Sequence, residues 1–233
     1  MPDTPDALAA DLVIQRPAGP PQQLILLFHG VGSAPQNMEP LGLRLAAEFP
    51  QAAIVCVAGP DRCDMGAGYQ WFSVQGITEE NRPARIAATL PRFAERVRAW
   101  QQRTGATEAQ TALIGFSQGA IMALASTQEE SARNGRHLAG RVVSIAGRFA
   151  APPEHAPAQT TLHFIHGKSD PVIPYAHTVT AAERLIHLGG DVTADVIPFL
   201  GHAVDQEVLD LLIERLKGHI PKRTWEEATR AAP

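Results

Sequence analysis

One pentapeptide constrains this chain more than any other feature. Gly115-Phe116-Ser117-Gln118-Gly119 stands between an apolar run, Thr111-Ala112-Leu113-Ile114, and a helix-forming one, Ala120-Ile121-Met122-Ala123-Leu124-Ala125. The first reads as a buried strand and the second as a helix. A strand that passes into a helix through so sharp a turn leaves no space for side chains two residues either side of its apex. Gly115 and Gly119 carry no Cβ and remove that collision. The Ser117 hydroxyl is thereby raised above the edge of a sheet, at the start of a helix.

Strand-like and helix-like segments alternate through the rest of the chain, which predicts an α/β fold with a mostly parallel central sheet and helices on both faces. Residues 11–15 alternate as an edge strand, and 24–28 and 53–57 are apolar enough for buried strands. A helix is expected over 38–49, stopping at Pro50. Ile86, Leu90, Phe93, Val97 and Trp100 fall at helical spacing behind Pro83, and Pro91 should kink or break that helix. Beyond the pentapeptide the pattern predicts a helix to about residue 128, strands over 141–145, 161–166 and 192–199, and helices over 175–188 and 205–216. Residues 58–82 hold Trp71 and Phe72 without regular periodicity, and aperiodic segments of that length inside compact domains usually carry function. Nothing resembles an interdomain linker, so residues 1–233 read as one domain with loosely held ends at 1–10 and 221–233.

Bulk properties exclude several classes. A net charge of −4 supplies no field for nucleic acid or an anionic membrane. No apolar stretch is long enough to span a bilayer, and the N-terminus lacks the basic and apolar regions of a secretory signal. Cys56 lies in an apolar strand and Cys63 nearby, both expected as free thiols. The chain reads as cytoplasmic.

A serine hydroxyl is a weak nucleophile at neutral pH. It needs an imidazole to take its proton and a carboxylate to orient that imidazole. On a parallel sheet these groups collect beyond the carboxyl ends of the strands, in the chain order Ser, Asp, His. Asp170 fits the acid, in the loop Gly167-Lys168-Ser169-Asp170-Pro171 that leaves a strand. His202 fits the base, since Gly201-His202 follows the last strand and precedes a helix. His29 and His166 end strands, where hydrogen-bonded structural roles are expected. An oxyanion needs two backbone donors: the Gln118 amide after the serine, and the Val31 amide in His29-Gly30-Val31-Gly32. Met65, Trp71, Phe72 and Ile77 are candidates for an apolar acyl pocket, or, for Trp71 and Phe72, anchors of the long loop.

In combination, His29-Gly30-Val31-Gly32, Trp71-Phe72-Ser73, Gly115-Phe116-Ser117-Gln118-Gly119, His166-Gly167-Lys168-Ser169-Asp170-Pro171-Val172-Ile173-Pro174 and Gly201-His202 resemble the phospholipase/carboxylesterase family, over roughly residues 11–220. Its members include acyl-protein thioesterases and small bacterial carboxylesterases. The resemblance implies an α/β-hydrolase without a large cap domain, acting on carboxylic esters or thioesters without metal or cofactor. It carries Ser117, Asp170 and His202 onto the catalytic roles and Val31 and Gln118 onto the oxyanion positions. Ser33 and Ser73 depart from the thioesterases, which often have aspartate at both places. The expected substrate is a small ester with a short to medium acyl chain, handled by a monomer or homodimer. A thioesterase or lysophospholipase with the same triad is the alternative, and a non-catalytic binding protein on the same fold the more distant one.

Overall fold

The computed structural model describes residues 8–134 and 137–231. In chain order its elements are β1 (Leu12–Gln15), β2 (Gln23–Phe28), α1 (Glu39–Glu48), β3 (Ala52–Val57), β4 (Asp61–Arg62), β5 (Tyr69–Gln70), α2 (Arg82–Thr104), β6 (Thr111–Phe116), α3 (Gln118–Asn134), β7 (Arg141–Ile145), β8 (Thr161–Gly167), α4 (Ala176–His187), β9 (Val192–Ile197), α5 (Gln206–Gly218) and α6 (Lys222–Ala231). Seven strands form the main sheet in the order β1-β3-β2-β6-β7-β8-β9, and β4 and β5 make a separate small hairpin. Only β1 runs antiparallel within the main sheet, at its edge.

Side chains alternate across the sheet into two cores. Leu24, Leu26, Phe28, Leu113, Val142 and Phe164 pack under α2, α3 and α4. Ile25, Leu27, Ile54, Ile114, Val143 and Ile165 pack under α1 and α5. Burial on both faces is why these strands read as continuous apolar runs. The chain builds outward from β2 to β3, then returns to place β6 on the other side of β2. That reversal opens a crevice beyond the ends of β2 and β6, where open α/β sheets hold their ligands.

Three expectations change. Helix α2 runs unbroken through Pro91. Pro91 removes one backbone hydrogen bond, to the Ala87 carbonyl, but it sits on the exposed face. The buried stripe of Ile86, Leu90, Phe93, Val97 and Trp100 holds both halves of the helix to one core. At the C-terminal end, the segment expected to be loose forms α6, tied where it starts by the Lys222 amide to Asp191 (3.0 Å) and by Lys222 Nζ to the Gly189 carbonyl (2.9 Å). Leu8 is buried in the larger core, while residues 1–7 and 232–233 lie outside the described residues. Cys56 and Cys63 are free, and burial pushes the Cys56 thiol up to about 12.

Candidate active site

Ser117 occupies the crevice at the junction of β6 and α3. Its φ of 53° lies in the left-handed region, where a side chain is strained. The surroundings enforce that conformation: the Ser117 amide donates to the Ile145 carbonyl, and the Ser117 carbonyl accepts from the Ile121 amide, each at 3.0 Å. The flanking glycines are required sterically. A Cβ on Gly115 would lie 2.3 Å from the Ala120 nitrogen, and one on Gly119 would lie 2.3 Å from the Phe28 carbonyl oxygen. Both obstacles are backbone and cannot swing aside. Gly119→Ala should therefore cost about 1–3 kcal/mol of stability, the range for forced overpacking. Chemical denaturation checks this, and a midpoint equal to that of the parent would refute it.

Two loops meet over the serine. Beyond β8, Lys168 N donates to the Ile197 carbonyl (2.8 Å) and Ser169 N to the Leu200 carbonyl (2.9 Å), zipping the Asp170 loop to the His202 loop. Gly167 permits this approach, because a Cβ there would lie 2.3 Å from the Leu200 oxygen. The result is a connected line of three side chains. His202 Nε2 is 2.9 Å from Ser117 Oγ, and His202 Nδ1 is 2.7 Å from Asp170 Oδ2. The Phe116 ring lies against the imidazole, with centroids 5.0 Å apart.

The Asp170 side chain is fully buried. Burial pushes its carboxyl up. Hydrogen bonds from His202 and from the Ile173 (2.9 Å) and Val172 (2.8 Å) amides outweigh that and hold it below the usual carboxylate range. It is therefore ionised at neutral pH and can only accept, so His202 Nδ1 carries the hydrogen between them. That leaves Nε2 with a lone pair facing the serine hydroxyl.

Val31 follows β2 and Gln118 is the first residue of α3, so both backbone amides belong to segments that leave the two strands flanking the crevice. Among the described residues neither has a hydrogen-bond acceptor. Sequence reasoning assigned Gln118 through its amide and missed its side chain. Gln118 Oε1 accepts from the Trp71 amide (2.8 Å), and its Nε2 donates to the Phe72 carbonyl (2.7 Å). The residue after the serine thus clamps the long loop. The loop after β2 is fixed similarly. His29 Nδ1 donates to the Gly30 carbonyl (2.7 Å), Nε2 accepts from the Gly59 amide (2.9 Å), and the His29 carbonyl accepts from the Trp71 indole (2.9 Å).

The four acyl-pocket candidates do not share one environment. Trp71 and Phe72 are buried, and the Trp71 ring packs among Phe28, Phe93 and His29 at centroid distances of 5.5–5.6 Å. Trp71 also borders a cavity of about 410 Å³ with Ala58, Phe93 and Arg92. Ile77 is half-buried against the core, and Met65 is 66% exposed. Val172 and Phe199, which composition gave no reason to select, are exposed apolar side chains within three residues of Asp170 and His202. Phe199 is also held at φ 63°. At 94% exposure its ring gains little from burial, so the strain is uncompensated locally. Phe199→Gly is expected to stabilise the fold by about 1 kcal/mol, the left-handed penalty of a non-glycine residue. A thermal melt reads it, and a lower melting temperature would count against the strain.

Among the described residues, no helix is long and apolar enough to cross a membrane, and no three His, Cys, Asp or Glu side chains group as metal ligands. Known proteins share both the sequence and this architecture. A phospholipase/carboxylesterase family model matches residues 9–220. Esterase YpfH of Escherichia coli (strain K12) is 50% identical over 216 residues, 93% of this chain and 91% of that protein. Acyl-protein thioesterase 1 of Gibberella zeae is 32% identical over 114 residues, 48% of each chain. Among solved structures, esterase PE8 matches with a TM-score of 0.81 at 27% identity, covering 91% of this chain and 99% of that one. Acyl-protein thioesterase 2 of Zea mays shares the fold, with a TM-score of 0.67 at 22% identity and coverage of 88% and 96%. The chain belongs to the phospholipase/carboxylesterase family of α/β-hydrolases and is a carboxylic ester hydrolase.

Proposed function

We propose that this chain is a serine carboxylesterase acting on short- to medium-chain esters through an acyl-enzyme, with Ser117 as nucleophile, His202 as general base and Asp170 as its orienting acid. The observation that carries the reading is the unbroken line of contacts, 2.9 Å then 2.7 Å, from the serine hydroxyl through the imidazole to the carboxylate. As Ser117 Oγ bonds to the ester carbonyl carbon, His202 Nε2 takes its proton, and Asp170 stabilises the imidazolium. The carbonyl π electrons move onto oxygen, where the Val31 and Gln118 amides receive the charge. The tetrahedral intermediate collapses, the C–O bond to the alcohol breaks, and His202 returns the proton to the departing alkoxide. Water repeats the sequence, releases the acid and regenerates Ser117.

The unpartnered Val31 and Gln118 amides support this assignment, as does the strain stored at Ser117. Met65 and Ile77, with Val172 and Phe199, are the apolar side chains we assign to the mouth of the site, and Trp71 and Phe72 act as loop anchors. We place the protein in the cytoplasm as a single-domain monomer or homodimer. The relation to a thioesterase favours thioester cleavage as the second reading. A fluorophosphonate probe should add one phosphonyl group, mapped to Ser117 by peptide mass spectrometry. A panel of matched oxygen and sulfur esters, from acetyl to dodecanoyl, then ranks the substrates. No labelling of Ser117 in folded protein would defeat the proposal.

A further inference from the structure

His166, the residue that ends β8's apolar run, is buried beneath the Asp170 loop and has no part in the proton path described above. Its hydrogen-bond partners define its state. His166 Nε2 is 2.8 Å from the Ile173 carbonyl oxygen, and Nδ1 is 2.8 Å from Thr178 Oγ1 on α4. A carbonyl can only accept, so Nε2 carries the hydrogen and Nδ1 accepts from the threonine hydroxyl. Burial lowers the tendency of this imidazole to protonate, despite the neighbouring Asp170 carboxylate, and keeps it neutral. The same Nε2 lies 3.3 Å from Asp170 Oδ2, the oxygen that faces His202.

We propose that His166 is a positioning residue for ester hydrolysis: its Nε2–H closes a ring, through the Ile173 carbonyl and amide, that fixes the Asp170 carboxylate toward His202. The ring is traced bond by bond. His166 holds the Ile173 carbonyl, the Ile173 and Val172 amides hold Asp170 Oδ1, and Oδ2 is left to His202. The partial positive charge of the same N–H sits beside Oδ2 and moderates how strongly the carboxylate retains a protonated His202. Thr178 locks the tautomer from α4, so that helix bears on the acid through His166. The inference rests on the assignment of Asp170 and His202 in the proposed function.

The titratable groups facing His166 are Asp170 on the loop that follows β8, His202 on the loop after β9, and His177 on α4. Removal of the imidazole leaves Asp170 to the Val172 and Ile173 amides alone, loosens the Ile173 side of that clamp and removes the moderating N–H. His166→Ala should lower kcat by about 10–100-fold, the cost of a small misplacement of reacting groups. KM for a short nitrophenyl ester should change little. The acid limb of kcat/KM should move to higher pH, because the carboxylate then pairs more strongly with the imidazolium. His166→Gln, whose amide nitrogen can reach the Nε2 position, should restore both quantities, whereas His166→Asn, too short to do so, should not. Active-site titration with the fluorophosphonate normalises each rate to folded enzyme, and His166→Asn replaces alanine in the comparison if the alanine variant does not fold. Parental kcat and an unshifted acid limb in His166→Ala or His166→Asn would overturn the inference. So would equal impairment of all variants with no shift of the limb, which is what a purely structural role produces. Ser117→Ala, assayed in parallel, separates the two levels: turnover there defeats the proposed function, whereas the His166 series bears only on this ring.

Discussion

Ser117→Ala is expected to reduce kcat on a nitrophenyl ester by about 10⁶-fold, leaving only what binding and the two backbone donors supply. The size follows from the way the three side chains act together. Without the hydroxyl there is no covalent intermediate, and water attacking from the same space meets a histidine placed 2.9 Å from an atom no longer present. His202→Ala should fall almost as far, because a neutral serine is a weak nucleophile. Asp170→Asn should lose less, about 10⁴-fold, since the serine and imidazole remain but the imidazole loses its enforced tautomer. The double variant Ser117→Ala, His202→Ala should be hardly slower than either single one. Multiplicative losses in that double variant, or more than about a hundredth of parental turnover in Ser117→Ala, would contradict a shared mechanism. Circular dichroism checks that each variant is folded, which is expected because a serine-to-alanine change fills the same space at the elbow.

How the residues of this site could be found varied with the range of the information each one carries. Ser117 was legible because five consecutive residues encode the turn: a Cβ on Gly115 would meet the Ala120 nitrogen five residues on, although the obstacle at Gly119, the Phe28 carbonyl, belongs to a distant strand. The strands of the sheet were legible for a similar reason, since burial on both faces writes unbroken apolar runs. Asp170 and His202 could be placed only by combining strand order with loop position, and the zipper between their loops has no sequence signature. The Gln118 clamp was not legible at all, because an amide side chain carries no sign of which backbone 46 or 47 residues away it will bind. Pro91 misled for a physical reason: the penalty for proline is local, while the stripe that keeps α2 continuous is tertiary. In the long 58–82 loop, aromatic residues marked importance without distinguishing a pocket wall from a core anchor, and Trp71 is both buried and on the border of a cavity.

Acid should destabilise the fold well before its carboxylates titrate. His29, His163 and His166 are all buried, and burial is the leading cause that depresses proton binding at each. For His163 the value falls to about 3, with Arg141 adding repulsion. Arg141 faces its Nε2 at 3.3 Å, so Nδ1 donates to Thr193 at 2.8 Å. The unfolded chain, by contrast, takes up protons on these residues as pH falls through roughly 6.5. Below that point the unfolded state binds more protons than the folded one, so stability falls as pH falls, by about 1.4 kcal/mol per unit for each histidine. With three such residues the slope approaches about 4 kcal/mol per pH unit while all three remain neutral in the folded state. His163 continues to contribute down to its folded value of about 3. Asp170 adds its own loss lower still, since a depressed carboxyl contributes stability that disappears only as pH falls below about 3.9. Asp11 acts in the opposite direction, because burial raises its carboxyl and acid relieves that penalty, but one group does not offset three. Urea denaturation at half-unit steps from pH 7.5 to 4.5 measures the slope. His163→Gln, which cannot protonate, should remove about a third of it. A midpoint that stays constant to pH 5 would mean that these histidines find protons in the folded state and that the cores described here are open to water. Activity separates from this effect by reversibility. A loss that leaves the fold intact reverses within one assay on return to neutral pH, whereas activity lost through unfolding returns only as fast as the sheet refolds.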